Sequence, residues 1–234
     1  MAERPPELSI VLPVYNEGEA VEPVLRAMAA GVATAHELVV VYDFDGDSTV
    51  PVVDRLVASG DVPGLRGLRN DLGRGVLNAM KAGIAGTSAP YVLISMADGS
   101  DEPRIVDAMV ALARDGADVV SASRYMPGGR QIGGPRLKGL MSRTAGLTLH
   151  WFGGVATHDP TNNFKLYARR FLDATTIESR AGFELALELT VKATLAGRRV
   201  AEVPTTWRDR TAGQSNFRLR KWLPPCWSRR CNGS

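Results

Sequence analysis

Two carboxylates, Asp98 and Asp101, follow directly on the apolar run "YVLISMA", with Gly99 and Ser100 between them. Hard oxygen ligands of this kind suit Mg2+ or Mn2+. Two are too few to enclose an ion, which fits a cation shared with a substrate diphosphate, because Mg2+ commonly keeps water and phosphate oxygens as ligands. For Asp101 a second reading stays open, in which its negative side chain starts the helix at Glu102–Pro103. The opposite charge comes from a glycine-rich loop carrying Arg124, Arg130, Arg136, Lys138 and Arg143. Arginine binds phosphate through paired hydrogen bonds, and glycine lets backbone amides approach an anion. For Arg130 and Arg136 a solvated basic loop is the competing explanation. Other chemistries lack their residues. No GxxxxGK[ST], no GxSxG and no GxGxxG after the first strand occurs, and His36, His150 and His158 have no metal-ligand spacing.

The chain that must position these groups has 234 residues, enough for one sizeable α/β domain. Its formal charge of +3 is too small to point to nucleic acid. The two cysteines, Cys226 and Cys231, both lie near the end, so no disulfide framework exists and a reducing, cytosol-like compartment is expected. No apolar run reaches the ~18 residues of a spanning helix, which leaves a soluble or peripheral protein at the cytoplasmic membrane face.

Strands are expected at Leu8 to Val14, in "HELVVVYDFD", at Leu65 to Leu68, in "PYVLISMAD" and in "ADVVSASRY", with helical periodicity between them. Ser48 or Thr49 is the expected cap of the second helix, with Pro51 in its first turn. Alternation of apolar strands with helices predicts a mostly parallel sheet covered on both faces, with ligands at the carboxyl ends of its strands. Tyr15, Asn16, Glu17, Asp43, Asp45 and Asp98 all fall there, although Asp45 and Asp47 serve equally as caps or turn formers. After Tyr125 the pattern changes to an irregular basic loop, a helix around "SRTAGLTLHWFGG", a strand in "NNFKLYARRFL", a helix in "GFELALELTVKATLAG" and a strand in "RRVAEVPTTWRDR".

Taken in order, these segments resemble the inverting family 2 glycosyltransferases of the GT-A fold, and among them the polyprenyl-phosphate sugar transferases typified by dolichol-phosphate mannosyltransferase. "IVLPVYNE" is similar to that family's opening strand, which implies nucleotide contacts at Pro13, Tyr15 and Glu17. "VVVYDFDGDST" resembles its second strand, with Asp43 as the base-contacting carboxylate and Tyr42 in place of a first Asp. "RNDLGRGVLNAMKAGI" is similar to its Gly-rich helix start, with Arg74 where Lys is more usual. "SMADGSDEP" falls where the family has its Asp-x-Asp motif, with Met96 in the first position. The resemblance therefore implies a nucleotide set completed by Ala97 and Asp98, and Mg2+ or Mn2+ resting on Asp98 with Ser100 or Asp101 assisting.

"SASRYMPGG" resembles the segment that makes Arg124 a donor-diphosphate contact. "RLKGLMSR" resembles the acceptor-phosphate segment, at Lys138 and Ser142. "HDPTNNFKLYAR", "GFELALEL" and "EVPTTWRDRTAGQSNFRL" resemble the closing segments, placing Asp159, Glu184, Arg208, Arg210 and Ser215 near the site. The implied chemistry is in-line displacement at the anomeric carbon of a GDP- or UDP-linked sugar. A lipid-phosphate acceptor needs no base, and Lys138, Ser142 and Arg208 would position it. A hydroxyl acceptor needs one, for which Asp159 or Glu184 is the candidate.

A catalytic domain over residues 1–216 is expected. It is followed at 217–234 by a basic, aromatic tail holding Phe217, Trp222 and Trp227, which either lies in a membrane headgroup layer, packs on the domain or stays disordered. A nucleotidyltransferase would need a "GxGTR"-like loop that "PVYNEGE" does not supply. A non-catalytic nucleotide-sugar binder draws its support from Met96.

Overall fold

Every residue of β1 (Leu8–Pro13) is buried, as expected of a strand covered on both faces at the centre of a sheet. The computed structural model describes residues 5–133, 136–180 and 184–208, with the backbone alone at 136–142, 145 and 152. The other strands are β2 (His36–Tyr42), β3 (Leu65–Arg69), β4 (Tyr91–Ile94), β5 (Val119–Ser123), β6 (Arg130–Ile132), β7 (Lys165–Ala168), β8 (Val200–Pro204) and β9 (Thr206–Arg208). The helices are α1 (Val21–Gly31), α2 (Val50–Ser59), α3 (Val76–Ala85), α4 (Val106–Arg114), α5 (Arg136–Gly153), α6 (Arg169–Asp173) and α7 (Leu185–Leu195).

The main sheet runs β3-β2-β1-β4-β7-β5-β8, and β6 pairs with β9 in a second, two-stranded sheet. Alternation along β1 sends Leu8, Ile10 and Leu12 to one face, where they meet α1, α2 and α4. Val11 goes to the other face with Val39 and Val41, under α3, α6 and α7. Helices thus cover both faces, as the apolar strands predict, and each buried Leu or Val contributes roughly 1.5–3 kcal/mol. Gly83 on α3 permits this closeness, since a Cβ there would lie 2.2 Å from Val11 Cγ1.

Strands β1, β2, β3, β4, β5 and β8 point the same way, and β7 alone is antiparallel, seated between β4 and β5. Lys165 at the start of β7 faces Ile94 on β4 and Ser121 on β5. The start of β7 therefore reaches the same edge as the carboxyl ends of its neighbours.

Three local expectations change. Thr49 is the N-cap of α2 and Pro51 lies in the first turn, but no side chain caps the helix there. The Thr49 hydroxyl instead accepts from Glu17 N (3.0 Å), and Asp47, 1% exposed, accepts from Asn16 N and Thr49 N. The amides of the loop after β1 take the oxygens that would have served the helix. The basic loop is less irregular than expected, since it contains β6, and α5 begins at Arg136. The final strand segment is divided by Thr205 into β8 and β9, which join different sheets. The tail at 217–234 lies outside the described residues. Among those described, no helix is long and apolar enough to cross a membrane.

Candidate active site

β4 ends at Ile94, and the chain turns so that Asp98 Oδ1 accepts from Ser100 N (3.0 Å) and Ser100 Oγ (2.5 Å). Gly99 makes the turn with φ +71, a conformation that a side chain disfavours. Ser100 thereby braces Asp98. Asp101 is turned the other way: its Oδ2 accepts from Ser95 Oγ (2.8 Å) and Met96 N (3.1 Å), sealing the end of β4. It does not cap the helix at this point, since Glu102 is the N-cap of the 3-10 turn at Pro103–Ile105. Burial pushes the Asp101 carboxyl up to about 7, against the Ser95 hydrogen bond and with help from the Asp98 charge. Met96 packs against the apolar cluster under α3 and α7, so the thioether serves the core where the resemblance has a carboxylate.

The ends of β1 and β2 build the neighbouring corner. Tyr15 is 52% exposed and makes an edge contact with Phe44 at 6.0 Å, while the Arg74 guanidinium lies 4.9 Å over the Phe44 ring. An exposed ring beside a half-buried one, with a cation over the second, suits a flat, aromatic ligand. Phe44 is absent from the candidates that the sequence suggests, lying between Asp43 and Asp45, though a large apolar residue within an acidic turn is itself a signal. Asp43 accepts from Asn70 Nδ2 (2.7 Å) and Gly75 N (2.8 Å), which fixes the loop before α3. Pro13 ends β1, and Glu17 follows Asn16, a residue held at φ 53. Ala97 is buried beside Asp98.

Arg124 follows β5 and is gripped by Asp159. Nε donates to Oδ2 (2.6 Å), Nη2 to Oδ1 (2.9 Å) and the Arg124 backbone N to Oδ2 (3.1 Å). The side chains are 12% and 0% exposed. Burial works against the Arg124 charge, and the Asp159 carboxylate more than offsets it, so the guanidinium stays a cation. Arg124, Tyr125, Arg130, Gln131 and Arg143 line a cavity of ≈ 590 Å³. Among the described residues the lining holds three arginines and no carboxylate, which suits an anion. Gly129 belongs to the wall of this cavity for a packing reason: a Cβ there would lie 2.4 Å from Ser123 O. Its amide is spent on Met126 O (2.9 Å), so it offers no open N–H to an anion.

Behind Asp159 lies Lys165, 0% exposed, whose Nζ donates to Ser121 Oγ (2.6 Å) and to the Asp159 carbonyl (2.8 Å). Burial drives this ammonium down to about 7, with the Asp159 charge opposing the fall. An unfolded lysine holds its proton to about pH 10.4. Between those values the unfolded chain binds the extra proton, so this group's contribution to stability rises with pH. Wild type is expected to gain on a Lys165→Met variant as pH is raised from about 7 to about 9.5, read as the difference in melting temperature at each pH. A difference that stays flat across that range, or widens in favour of the variant, would contradict it.

On the other side of Asp159, His158 shares a short hydrogen bond with Glu202 (2.5 Å), and the His150 ring at the end of α5 stacks on His158 at 4.0 Å. Burial alone would raise the Glu202 carboxyl, but hydrogen bonds from His158 and Thr157 hold it below the ordinary range. These histidines tie α5 to β8. Arg208, exposed on β9, joins the Asp98 loop through its backbone N to Ser100 O (3.4 Å), and Thr206 N donates to Glu102 Oε2 (3.2 Å). Because Arg208 pairs with Ile132, the cavity wall and the Asp98 loop are connected through β9.

The structure thus brings Asp98, Ser100, Asp101, Arg124, Asp159 and Arg208 to one edge, with Tyr15 and Asp43 at the ends of the adjacent strands. Glu184 is apart from these bonds, at the N-terminus of α7. Lys138 and Ser142 lie on α5, where only the backbone is described, and Arg210 and Ser215 lie outside the described residues. Among the described residues no three His, Cys, Asp or Glu side chains converge to hold an ion. An ion taking one ligand from Asp98 and the others from a diphosphate and water fits this donor set.

A model described as glycosyl transferase family 2 matches residues 9–175. The chain belongs to that family. The glycosyltransferase is 31% identical over 214 residues to the polyprenol monophosphomannose synthase of Mycolicibacterium smegmatis, covering 89% of this chain and 80% of the relative. It is 29% identical over 213 residues to the undecaprenyl-phosphate mannosyltransferase of Micrococcus luteus, covering 88% and 86%. In fold it is similar to glucosyl-3-phosphoglycerate synthase of Mycobacterium tuberculosis, solved with Mn2+, UDP and glucosyl-3-phosphoglycerate. The TM-score is 0.67 at 21% identity, over 93% of this chain and 75% of that one. The GT-A architecture expected of the sequence is therefore the one found.

Proposed function

We propose that this glycosyltransferase moves a hexose from a nucleoside-diphosphate sugar to a polyprenyl phosphate. The observation that carries the proposal is Arg124, held by Asp159 at the wall of a cavity lined by three arginines, on the same sheet edge as Asp98. One arginine suffices for a departing diphosphate; the others leave cationic capacity for a second phosphate, that of the acceptor. The names of the two mannosyltransferase relatives support the same acceptor class and make mannose the first sugar to test.

In this reading the donor base lies against Tyr15 and Phe44, near Asp43 and the ends of β1 and β2, and its diphosphate reaches Arg124. The acceptor phosphate oxygen, already an anion, attacks the anomeric carbon. The bond from that carbon to the diphosphate breaks, and the nucleoside diphosphate leaves with the electron pair. Arg124 offsets the charge gathering on the leaving group, while Arg130, Arg143 and Arg208, with Lys138 and Ser142 from α5, hold the acceptor. Asp98 would hold Mg2+ or Mn2+, which supplies further positive charge to the diphosphate; solved structures of the M. tuberculosis synthase pair UDP with each of these ions. The Asp159 carboxylate is committed to Arg124, which favours an acceptor that needs no base over a hydroxyl. Exposed Trp151 on α5 and Ile132 on β6 fit work at a membrane surface, where such acceptors reside.

The test is product analysis by mass spectrometry with GDP-mannose, UDP-glucose and UDP-N-acetylglucosamine, each offered with a polyprenyl phosphate and with the corresponding alcohol. Sugar is expected on the phosphate alone. Transfer to the alcohol at a similar rate, or to neither acceptor, would remove the proposal.

A further inference from the structure

Among the described residues Lys165 is the one lysine or arginine that is fully buried. A cation placed there loses its hydration, so a core position of this kind needs a reason. Packing does not supply one: the rest of β7, Leu166, Tyr167 and Ala168, is buried and apolar. The hydrogen bonds do. Lys165 Nζ donates to Ser121 Oγ and to the Asp159 carbonyl, and Ser121 Oγ donates to the same carbonyl (3.1 Å). This triangle ties β5 and β7 to the main chain of Asp159. The side chain of Asp159 then fixes Arg124 at its backbone, Nε and Nη2.

We propose that Lys165 is a positioning residue, whose side-chain nitrogen fixes the main chain of Asp159 and so sets the direction in which Arg124 presents its guanidinium to the donor diphosphate. The inference rests on the assignment of Arg124 to that diphosphate under the proposed function. A fork-shaped donor gains from a set orientation, because its paired hydrogen bonds form only in one plane. Asp159 holds one edge of the guanidinium, through Nε and Nη2. A shift of its carbonyl therefore turns the group rather than releasing it. Affinity for the diphosphate falls while the ion pair survives. Ser121 still bonds to the Asp159 carbonyl when the lysine is gone, so the fold keeps one leg of the triangle.

The experiment is calorimetric titration of the full chain with GDP and with UDP, each with Mn2+, in wild type, Lys165→Met, Arg124→Ala and the double variant. Lys165→Met is expected to weaken the nucleotide that wild type binds by about tenfold, the scale of a small misplacement. In the Arg124→Ala background the same change is expected to weaken it less than about twofold, because two residues acting through one group are not additive. Steady-state rates are expected to show donor KM raised and acceptor KM unchanged. Should Lys165→Met fail to fold, Ser121→Ala removes another leg of the triangle and is expected to weaken binding in the same direction.

Equal weakening with and without Arg124 would make Lys165 a purely structural residue and overturn the inference. So would wild-type affinity in both Lys165→Met and Ser121→Ala. Wild-type protein that binds neither nucleotide would instead overturn the donor assignment of Arg124, and this inference with it. The first two failures leave the proposed function standing.

Discussion

Asp98→Ala is expected to lower the rate of sugar transfer by about 10²–10³-fold, the cost of removing one group that stabilises charge as it develops. The carboxylate is poised for this by its turn: Gly99 reverses the chain and Ser100 bonds back to Oδ1, so its direction is set before any ligand arrives. No other described carboxylate stands ready to replace it. Asp101 is folded against β4 and Met96 belongs to the core. Stability should change far less than activity, because Asp98 is only partly buried. Asp98→Asn keeps the shape and the hydrogen bonds but not the charge, and should be nearly as inactive. Initial rates at saturating donor over a range of Mn2+ concentrations check both. An Asp98→Ala enzyme within threefold of wild type at every Mn2+ concentration would show that the charge is supplied elsewhere.

Asp159→Ala is expected to cost about 3–5 kcal/mol of stability, the penalty for stranding a buried charge whose partner has been removed. Arg124 is 12% exposed and takes most of its charge balance from this carboxylate, with a smaller share from Asp101. Pairing Asp159→Leu with Arg124→Met removes both charges together and should recover most of that loss, since a buried ion pair is weak support when compared with good apolar packing. The double variant should remain inactive. Urea midpoints with a common slope measure the first effect, and transfer rates the second. A loss below about 1 kcal/mol for Asp159→Ala would mean that water reaches Arg124 and screens it.

The sheet is legible in the sequence where burial is uniform. β1, β2, β4 and β5 are apolar runs with turn residues after them, and their carboxyl ends carry Tyr15, Asp43, Asp98 and Arg124. β7 is recognisable as a strand, but its direction cannot be read, because pairing with β4 and β5 is decided by contacts across more than forty residues of chain. β6 and β9 are three residues each and none of these is buried, so they leave no period to detect. Arg124 and Asp159 each stand out in the sequence, the one for a phosphate and the other for a proton. Their union across 35 positions is invisible there, and it changes the chemistry, because a carboxylate held by an arginine makes a poor base. Lys165 escapes notice for the opposite reason: a lysine in a strand next to a turn ordinarily reaches solvent.

The reversed direction of β7 also decides where the chain tolerates changes in length. An inbound strand brings the segment before it, residues 154–164, to the edge that carries Asp98 and Arg124, and sends the segment after it to the back of the sheet. For the flanking parallel strands the rule is inverted: the loops that leave them lie at the edge proposed to bind substrate, and the loops that enter them do not. Insertions just ahead of β4 or β5 should therefore be borne as loop decoration, whereas the same insertions just ahead of β7 would displace Asp159 itself. Divergence among related transferases should thus accumulate on the far side of the sheet, with 154–164 held near a constant length.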